Sequence, residues 1–332
     1  MLKKFIDDQG TFEIKVPFTW KYTLQDAKVH TFQEYEIWKS NAFQLSINTF
    51  QDQTHKANFI SQTKNLKTLD LNGVIYYKYP ANITDKVFVQ AWTTIINDLR
   101  VLFTYTQPNI VDVELDSRSS EEKENTIFEC IKTFKLINNT DRSSKLNSYR
   151  FDMFLQGVGA TALILSKAIE NKSFIEATCI LANQIDALLR IGIVLKNQTV
   201  NNNAEIELEW IYQGLTDKKK IEKEVYKKAK DLGIIEESLF NELYKLYDDR
   251  NRVIHRFIIS EITFAEVEEI SYKYYKVRQK VNTIIYDIEE EQIRLNIGMT
   301  RKSWDKETTD NLDYIKGKIG KQNYFEDMNI TY

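Results

Sequence analysis

Apolar and polar residues alternate along much of the first 137 positions, which is the pattern of β-strands that bury one face. The segment 12–16 has apolar residues at every second position and stops at Pro17. Segments 43–47 and 99–105 repeat the alternation, and segment 73–79 is rich in β-branched and aromatic residues. Turn-forming residues between such segments favour an antiparallel sheet.

Helical periodicity replaces this pattern after residue 149, where apolar residues recur three and four positions apart. We predict helices over 150–170, over 173–197, from a cap at Thr216 to Gly233, over about 236–257, and from a capping box at Thr263 and Glu266 to about 297. One more helix is predicted before them, from a capping box at Ser119 and Glu122. The helix over 173–197 is apolar on most sides, so we expect it at the centre of a bundle.

The two patterns predict an α+β protein with two domains. We expect an N-terminal antiparallel β-sheet sandwich with flanking helices over 1–137 and an all-α helical bundle over 149–298. The polar segment 138–148 is interpreted as a linker and 299–332 as a polar tail.

The N-terminal half resembles the PsbP-like α/β sandwich. The resemblance is a diffuse pattern over about 130 residues, formed by FEIKVPFTW, VFVQAW, LRVLFTYTQ and KTFKLI. It implies a sensor, docking or regulatory domain that takes a protein partner or a ligand, and it implies no particular chemistry.

Composition excludes several classes of protein. The chain has 42% hydrophobic and 28% charged residues and a net charge of −3, so RNA binding would need a local basic patch. Asp7 and Asp8 interrupt the apolar stretch that a signal peptide would need, and no run approaches the ~18 apolar residues needed to cross a membrane. Cys130 and Cys179 lie in apolar helical patterns, so we expect reduced cysteines, no metal site, no cofactor and a cytoplasmic protein.

The predicted helix 236–257 has one irregular position. Arg250 falls on its apolar stripe, where it needs an acceptor or a route to water, and Asp186 is a candidate partner. His255 lies five positions further, about 140° around the helix axis, so the two side chains do not share a face. Asn251 is placed to hydrogen-bond the imidazole and Asp248 to raise its pKa. Two such helices from two subunits would bring two arginines and two histidines together.

This motif, DDRNRVIH, resembles that of the HEPN family, and the segment FIEATCILANQIDALLRIGIVL resembles the family's helix with a buried acidic residue. The resemblance covers about 150 residues. It implies a metal-independent endoribonuclease that acts as a homodimer on RNA, including tRNA, in toxin–antitoxin or antiviral defence systems. Arg250 and His255 would be catalytic, with Asn251, Asp248 and Asp186 in support.

Two other interpretations remain beside this one. Lys218, Lys219, Lys220 and Arg252 are candidate RNA-binding residues, although a lysine-rich helix is more often only a solvated surface. The alternative to an enzyme is a non-catalytic HEPN-like dimerisation or partner-binding protein, in which Arg250 forms an ion pair within the chain.

Overall fold

Strands form in the N-terminal half and helices in the C-terminal half, as the change of period predicts. A computed structural model describes residues 2–26, 28–34, 41–84, 87–108, 120–213 and 220–300. The chain divides into two units, residues 1–142 and 143–332. The α+β fold class is therefore confirmed.

The described part of the first unit contains two antiparallel sheets. Its strands are β1 (Leu2–Ile6), β2 (Phe12–Pro17), β3 (Trp20–Gln25), β4 (Val29–Glu34), β5 (Ala42–Thr49), β6 (Lys67–Leu71), β7 (Val74–Lys78), β8 (Asn82–Ile83), β9 (Val87–Ile96), β10 (Leu99–Pro108) and β11 (Lys135–Leu136). The smaller sheet has the order β1-β2-β11, and the larger has β3-β4-β5-β10-β9-β7-β6, with β8 beside β9.

Two helices accompany the sheets, α1 (Gln53–Thr63) and α2 (Ser120–Lys132). The alternation in β2 turns Phe12, Ile14 and Val16 into the core, and α2 adds Ile127 and Ile131 to it. The apolar stripe of α2 thus closes the core formed by the buried faces of the strands.

The second unit consists of helices in its described part. They are α3 (Arg142–Glu170), whose first residue belongs to the first unit, α4 (Phe174–Asn201), α5 (Leu208–Ile211), α6 (Glu222–Asp231), α7 (Glu237–Arg256) and α8 (Phe264–Leu295). The apolar helix α4 is central and packs against α5, α6, α7 and α8. Gly192 permits its close approach to α8, because a Cβ there would meet the Ile285 side chain.

Some helix boundaries differ from the prediction. Helix α3 begins at Arg142 rather than at 150, so the second half of the predicted linker is helical. Helix α4 continues to Asn201, and the short α5 was not predicted. The predicted caps at Ser119 and Thr216 and nearly all of the polar tail lie outside the described residues.

Helix α4 is long and apolar enough to cross a membrane by length and composition alone, contrary to the expectation that no segment is. Its most apolar window has a mean hydropathy of 1.5, and 67% of that window is buried in the unit. The central helix of a bundle passes the same test, since it is apolar on all sides.

Candidate functional site

The apolar stripe of α7 positions the predicted motif. Leu243, Leu246 and Val253 are buried on this stripe, and Arg250 lies between the last two at helical spacing. The arginine side chain is only 15% exposed. The sequence prediction that Arg250 occupies a core-facing position is therefore confirmed.

The acceptor of Arg250 is Glu222 of α6. Nη1 of the guanidinium forms an ion pair with this carboxylate, and Nη2 donates to Oδ1 of Asn251 at 3.3 Å. The Tyr247 ring lies 4.7 Å from the guanidinium carbon. Burial alone would lower the pKa of Arg250, but the Glu222 carboxylate and its hydrogen bond outweigh burial and raise it. The guanidinium is thus charged and held in one orientation.

Glu222 was missed by the sequence analysis. Its other oxygen accepts a hydrogen bond from the Tyr226 hydroxyl, one helical turn further along α6. The pKa of Tyr226 is raised by burial and by the nearby Glu222 carboxylate. The i,i+4 spacing of this pair is visible in the sequence, but its approach to Arg250 arises only from the packing of α6 on α7.

Asp186 does not form the ion pair with Arg250 that was suggested from the sequence. It accepts from Nε of Arg190 at 2.6 Å, because the i,i+4 spacing places both on one face of α4. Arg190 also donates to the backbone oxygens of Trp210 and Lys220, at 2.8 Å each. Burial raises the pKa of Asp186 in spite of Arg190 and Arg250. Asp186 is therefore near the arginine of the motif but engaged elsewhere.

His255 lies in the last turn of α7 and is exposed. Within the described ranges, no hydrogen bond or ion pair joins it to Asn251 or Asp248, so the predicted local support is absent. The Asn251 oxygen accepts from Arg250 instead, and Asp248 lies 3.5 Å from Nζ of Lys223. The half-buried arginine and the exposed histidine are consistent with the expected divergence around the helix axis.

The candidate RNA-binding cations that the structure describes both have acidic neighbours. Nζ of Lys220 lies 3.1 Å from Glu209, and Arg252 lies 3.5 Å from Asp249 and 3.8 Å from Glu266. Lys218 and Lys219 fall outside the described residues. These contacts reduce the net positive charge that the two cations present to a phosphate backbone.

Metal-ligating side chains do not cluster in the part of the chain that the structure describes. No group of three or more histidine, cysteine, aspartate or glutamate side chains is placed there to hold an ion. The polar groups around the motif on α7 are an arginine, a carboxylate, an amide and an imidazole. Of these, arginine is suited to contact phosphate and imidazole to transfer protons.

Comparisons with known proteins give little further guidance. No family model and no curated protein sequence matches the chain. A crystal structure from Bacteroides thetaiotaomicron VPI-5482 is 13% identical and covers 56% of this chain and 74% of that chain, with a TM-score of 0.32. The solution structure of cyanobacterial PsbP (CyanoP) from Synechocystis sp. PCC 6803 is 18% identical and covers 41% of this chain and 92% of that chain, with a TM-score of 0.26. At these TM-scores neither likeness establishes a fold for either unit, and the PsbP and HEPN resemblances stay predictions.

Proposed function

We propose that this protein is a metal-independent HEPN-type endoribonuclease that acts as a homodimer on cytoplasmic RNA, including tRNA, as a toxin or an antiviral defence effector. The observation that supports this best is the arrangement on α7. A half-buried arginine is held by two side chains, and an accessible histidine lies five residues further along the same helix.

The proposed reaction uses these groups in named roles. One histidine takes the proton of the ribose 2′-hydroxyl, the 2′-oxygen attacks phosphorus, and the bond from phosphorus to the 5′-oxygen breaks. A second histidine returns a proton to the leaving 5′-oxygen, and arginine stabilises the charge on the phosphorane. The products are a 2′,3′-cyclic phosphate and a 5′-hydroxyl. The second unit has only one histidine, His255, so this mechanism requires two copies of the chain.

Alanine at His255 tests the proposal. We expect wild-type protein to cut bulk RNA or tRNA and to leave a 2′,3′-cyclic phosphate, and His255→Ala to lose at least about 100-fold in rate, as removal of an acid or base usually does. His55→Ala is the matched control, because His55 is also exposed but lies in the first unit. Equal cleavage by wild type and His255→Ala, or cleavage by neither, would remove the catalytic assignment.

A second candidate function is favoured by the ion pair between Arg250 and Glu222. Nη1 of the arginine is already paired with a carboxylate, so it is not available to bind a phosphate. The arginine then serves to connect α7 to α6. The protein would then be a non-catalytic HEPN-like dimerisation or partner-binding protein. A wild-type dimer that leaves RNA intact, and that forms equally well with His255→Ala, would support this function.

A further inference from the structure

A cavity of about 240 Å³ lies in the first unit, whereas the helical motif belongs to the second. It lies beside the turn that follows β1 and is bounded by residues of β3, β4, β5, β10 and β11. We refer to it as the N-terminal cavity. Pockets for drug-sized ligands have volumes of roughly 300–1,000 Å³, so this one suits a smaller molecule.

Part of the cavity wall is aliphatic. Leu24, Ile47, Leu99 and Leu136 line it, each from a different strand. Leu24 is 45% exposed, which leaves apolar surface in contact with water. A ligand with an apolar body would remove this surface from water and gain free energy in proportion to the area covered.

The acidic side chains at the cavity are already engaged. The buried Asp7 carboxylate accepts backbone N–H groups from Thr11 at 2.6 Å, from Phe12 at 3.0 Å and from Gln9 at 3.3 Å. Asp8 also has a partner of its own. Asp7 therefore stabilises its own turn, and its oxygens are occupied by backbone donors.

The basic side chains that line the cavity have nitrogens without a partner among the described residues. Nε of Arg142 donates to the Ile137 backbone oxygen at 3.4 Å, whereas Nη1 and Nη2 have no partner among the described residues. The Lys28 ammonium likewise has none there, and Lys28 is exposed. The hydrogen-bond donors that remain available at the cavity thus belong to cations, and a guanidinium with two available nitrogens matches a carboxylate. Asp7 and Asp8 also line the cavity and act electrostatically on His30, so a ligand carboxylate is favoured where it lies closer to Arg142 and Lys28 than to them.

The backbone of Arg142 packs closely against the turn that follows β1. Gly10 has a φ of +64°, and a Cβ at this position would lie 2.9 Å from the Arg142 backbone oxygen. The glycine therefore lets the turn of Asp7–Gly10 pack directly on the backbone that bears the arginine. This contact fixes the backbone of Arg142 beside the cavity.

His30 and Tyr22 supply neutral polar groups. The Tyr22 hydroxyl and Nδ1 of His30 are hydrogen-bonded at 3.0 Å, and the imidazole packs edge-on against Phe12 at 4.7 Å between centroids. Burial lowers the pKa of His30, although Asp7 and Asp8 oppose the shift. A neutral imidazole can orient a ligand by hydrogen bonding, and it does not change which ligand charge the cavity favours.

We propose that the N-terminal cavity binds a small organic monoanion, a carboxylate with an aliphatic or aromatic body of up to about ten heavy atoms. The carboxylate contacts Arg142 and Lys28, and the body covers the leucine and isoleucine side chains. This site is independent of the proposed nuclease, and its test requires no RNA.

Two probes of equal length test the charge preference. Octanoate and octylamine carry the same hydrocarbon chain with opposite charges, and each is titrated into the full-length protein by calorimetry below its micellar concentration. We expect saturable binding of octanoate and at least tenfold weaker binding of octylamine. Absence of saturable octanoate binding, or equal affinity for both, overturns the proposal.

Three variants locate the site. Arg142→Gln should weaken octanoate binding about tenfold, since it removes a charge-assisted contact. Lys67→Gln makes the same change of charge on an exposed residue of β6 and should leave binding unchanged. Leu24→Gln is a second variant at the cavity, on the edge strand β3, where a polar side chain is tolerated. Unchanged affinity in both folded cavity variants excludes this site.

Discussion

The ion pair between Arg250 and Glu222 is the residue-scale contact that determines how the motif is held. The two side chains are 15% and 12% exposed, so removal of the carboxylate leaves a largely buried cation without its counter-charge. Breaking a fully buried pair costs about 3–5 kcal/mol. For this partly hydrated pair we expect Glu222→Ala to lower the free energy of unfolding by about 2 kcal/mol, as measured by urea denaturation.

Glu237→Ala is the control for that experiment. Its carboxylate pairs with Lys230 at 3.0 Å but is 66% exposed, and exposed pairs contribute little to stability. Equal losses in the two variants would contradict a structural role for the Arg250–Glu222 pair.

His30 makes the stability of the protein depend on pH. Burial lowers its pKa in the folded state, and Asp7 and Asp8 reduce this effect. As pH falls below the unfolded value of about 6.5, the unfolded chain takes up a proton first. The contribution of His30 is therefore fully present above that pH and is lost as pH falls through the folded pKa. We expect His30→Gln to flatten this part of a plot of melting temperature against pH, and His55→Gln to leave it unchanged.

The C-terminal end of α8 depends on the glycine that follows it. Gln292 is buried, donates to the Leu195 backbone oxygen at 2.8 Å and accepts from the Thr300 hydroxyl at 2.7 Å. Gly298 has a φ of +73°, and a Cβ there would overlap the Gln292 side chain. We expect Gly298→Ala to cost about 3 kcal/mol of unfolding free energy, from backbone strain and overpacking together.

Gly73→Ala measures the cost of backbone strain without that of overpacking. Gly73 has a similar φ of +80°, but nothing lies within 4 Å of its Cβ position. This variant should lose only the backbone part, about 1 kcal/mol. A loss as large as that of Gly298→Ala would show that the fit around Gln292 is not tight.

Contacts within one helix, between residues close in sequence, could be predicted. Contacts between different helices could not. The capping box of α8 forms as predicted, with Thr263 accepting from the Glu266 N–H and Glu266 from the Thr263 N–H. The start of α3 was misplaced because an exposed first turn needs no apolar residue. Glu222 was missed for a different reason. It is 28 residues from Arg250, and only the packing of α6 on α7 brings them together.

The end of α7 presents apolar surface at the scale of the whole molecule. Ile258 is 94% exposed and Ile259 80%, and Ile254 is also exposed on the preceding turn. His255 lies within the same stretch of chain. Exposed apolar side chains that form one patch commonly mark a protein interface. A dimer seam here would bring the two histidines of a pair of chains close together, as the proposed reaction requires.

Negative charge introduced at the end of α7 tests whether the chain dimerises through this surface. We expect Ile258→Asp combined with Ile259→Asp to shift the protein from dimer to monomer in sedimentation equilibrium, because burial of two unpaired carboxylates opposes association. RNA cleavage should fall in parallel if two copies share the site. Val200→Asp is the control, since Val200 is 68% exposed at the end of α4 and is distant in sequence. A dimer that persists in the double variant would place the interface elsewhere, whereas a monomeric wild type would exclude the two-histidine mechanism.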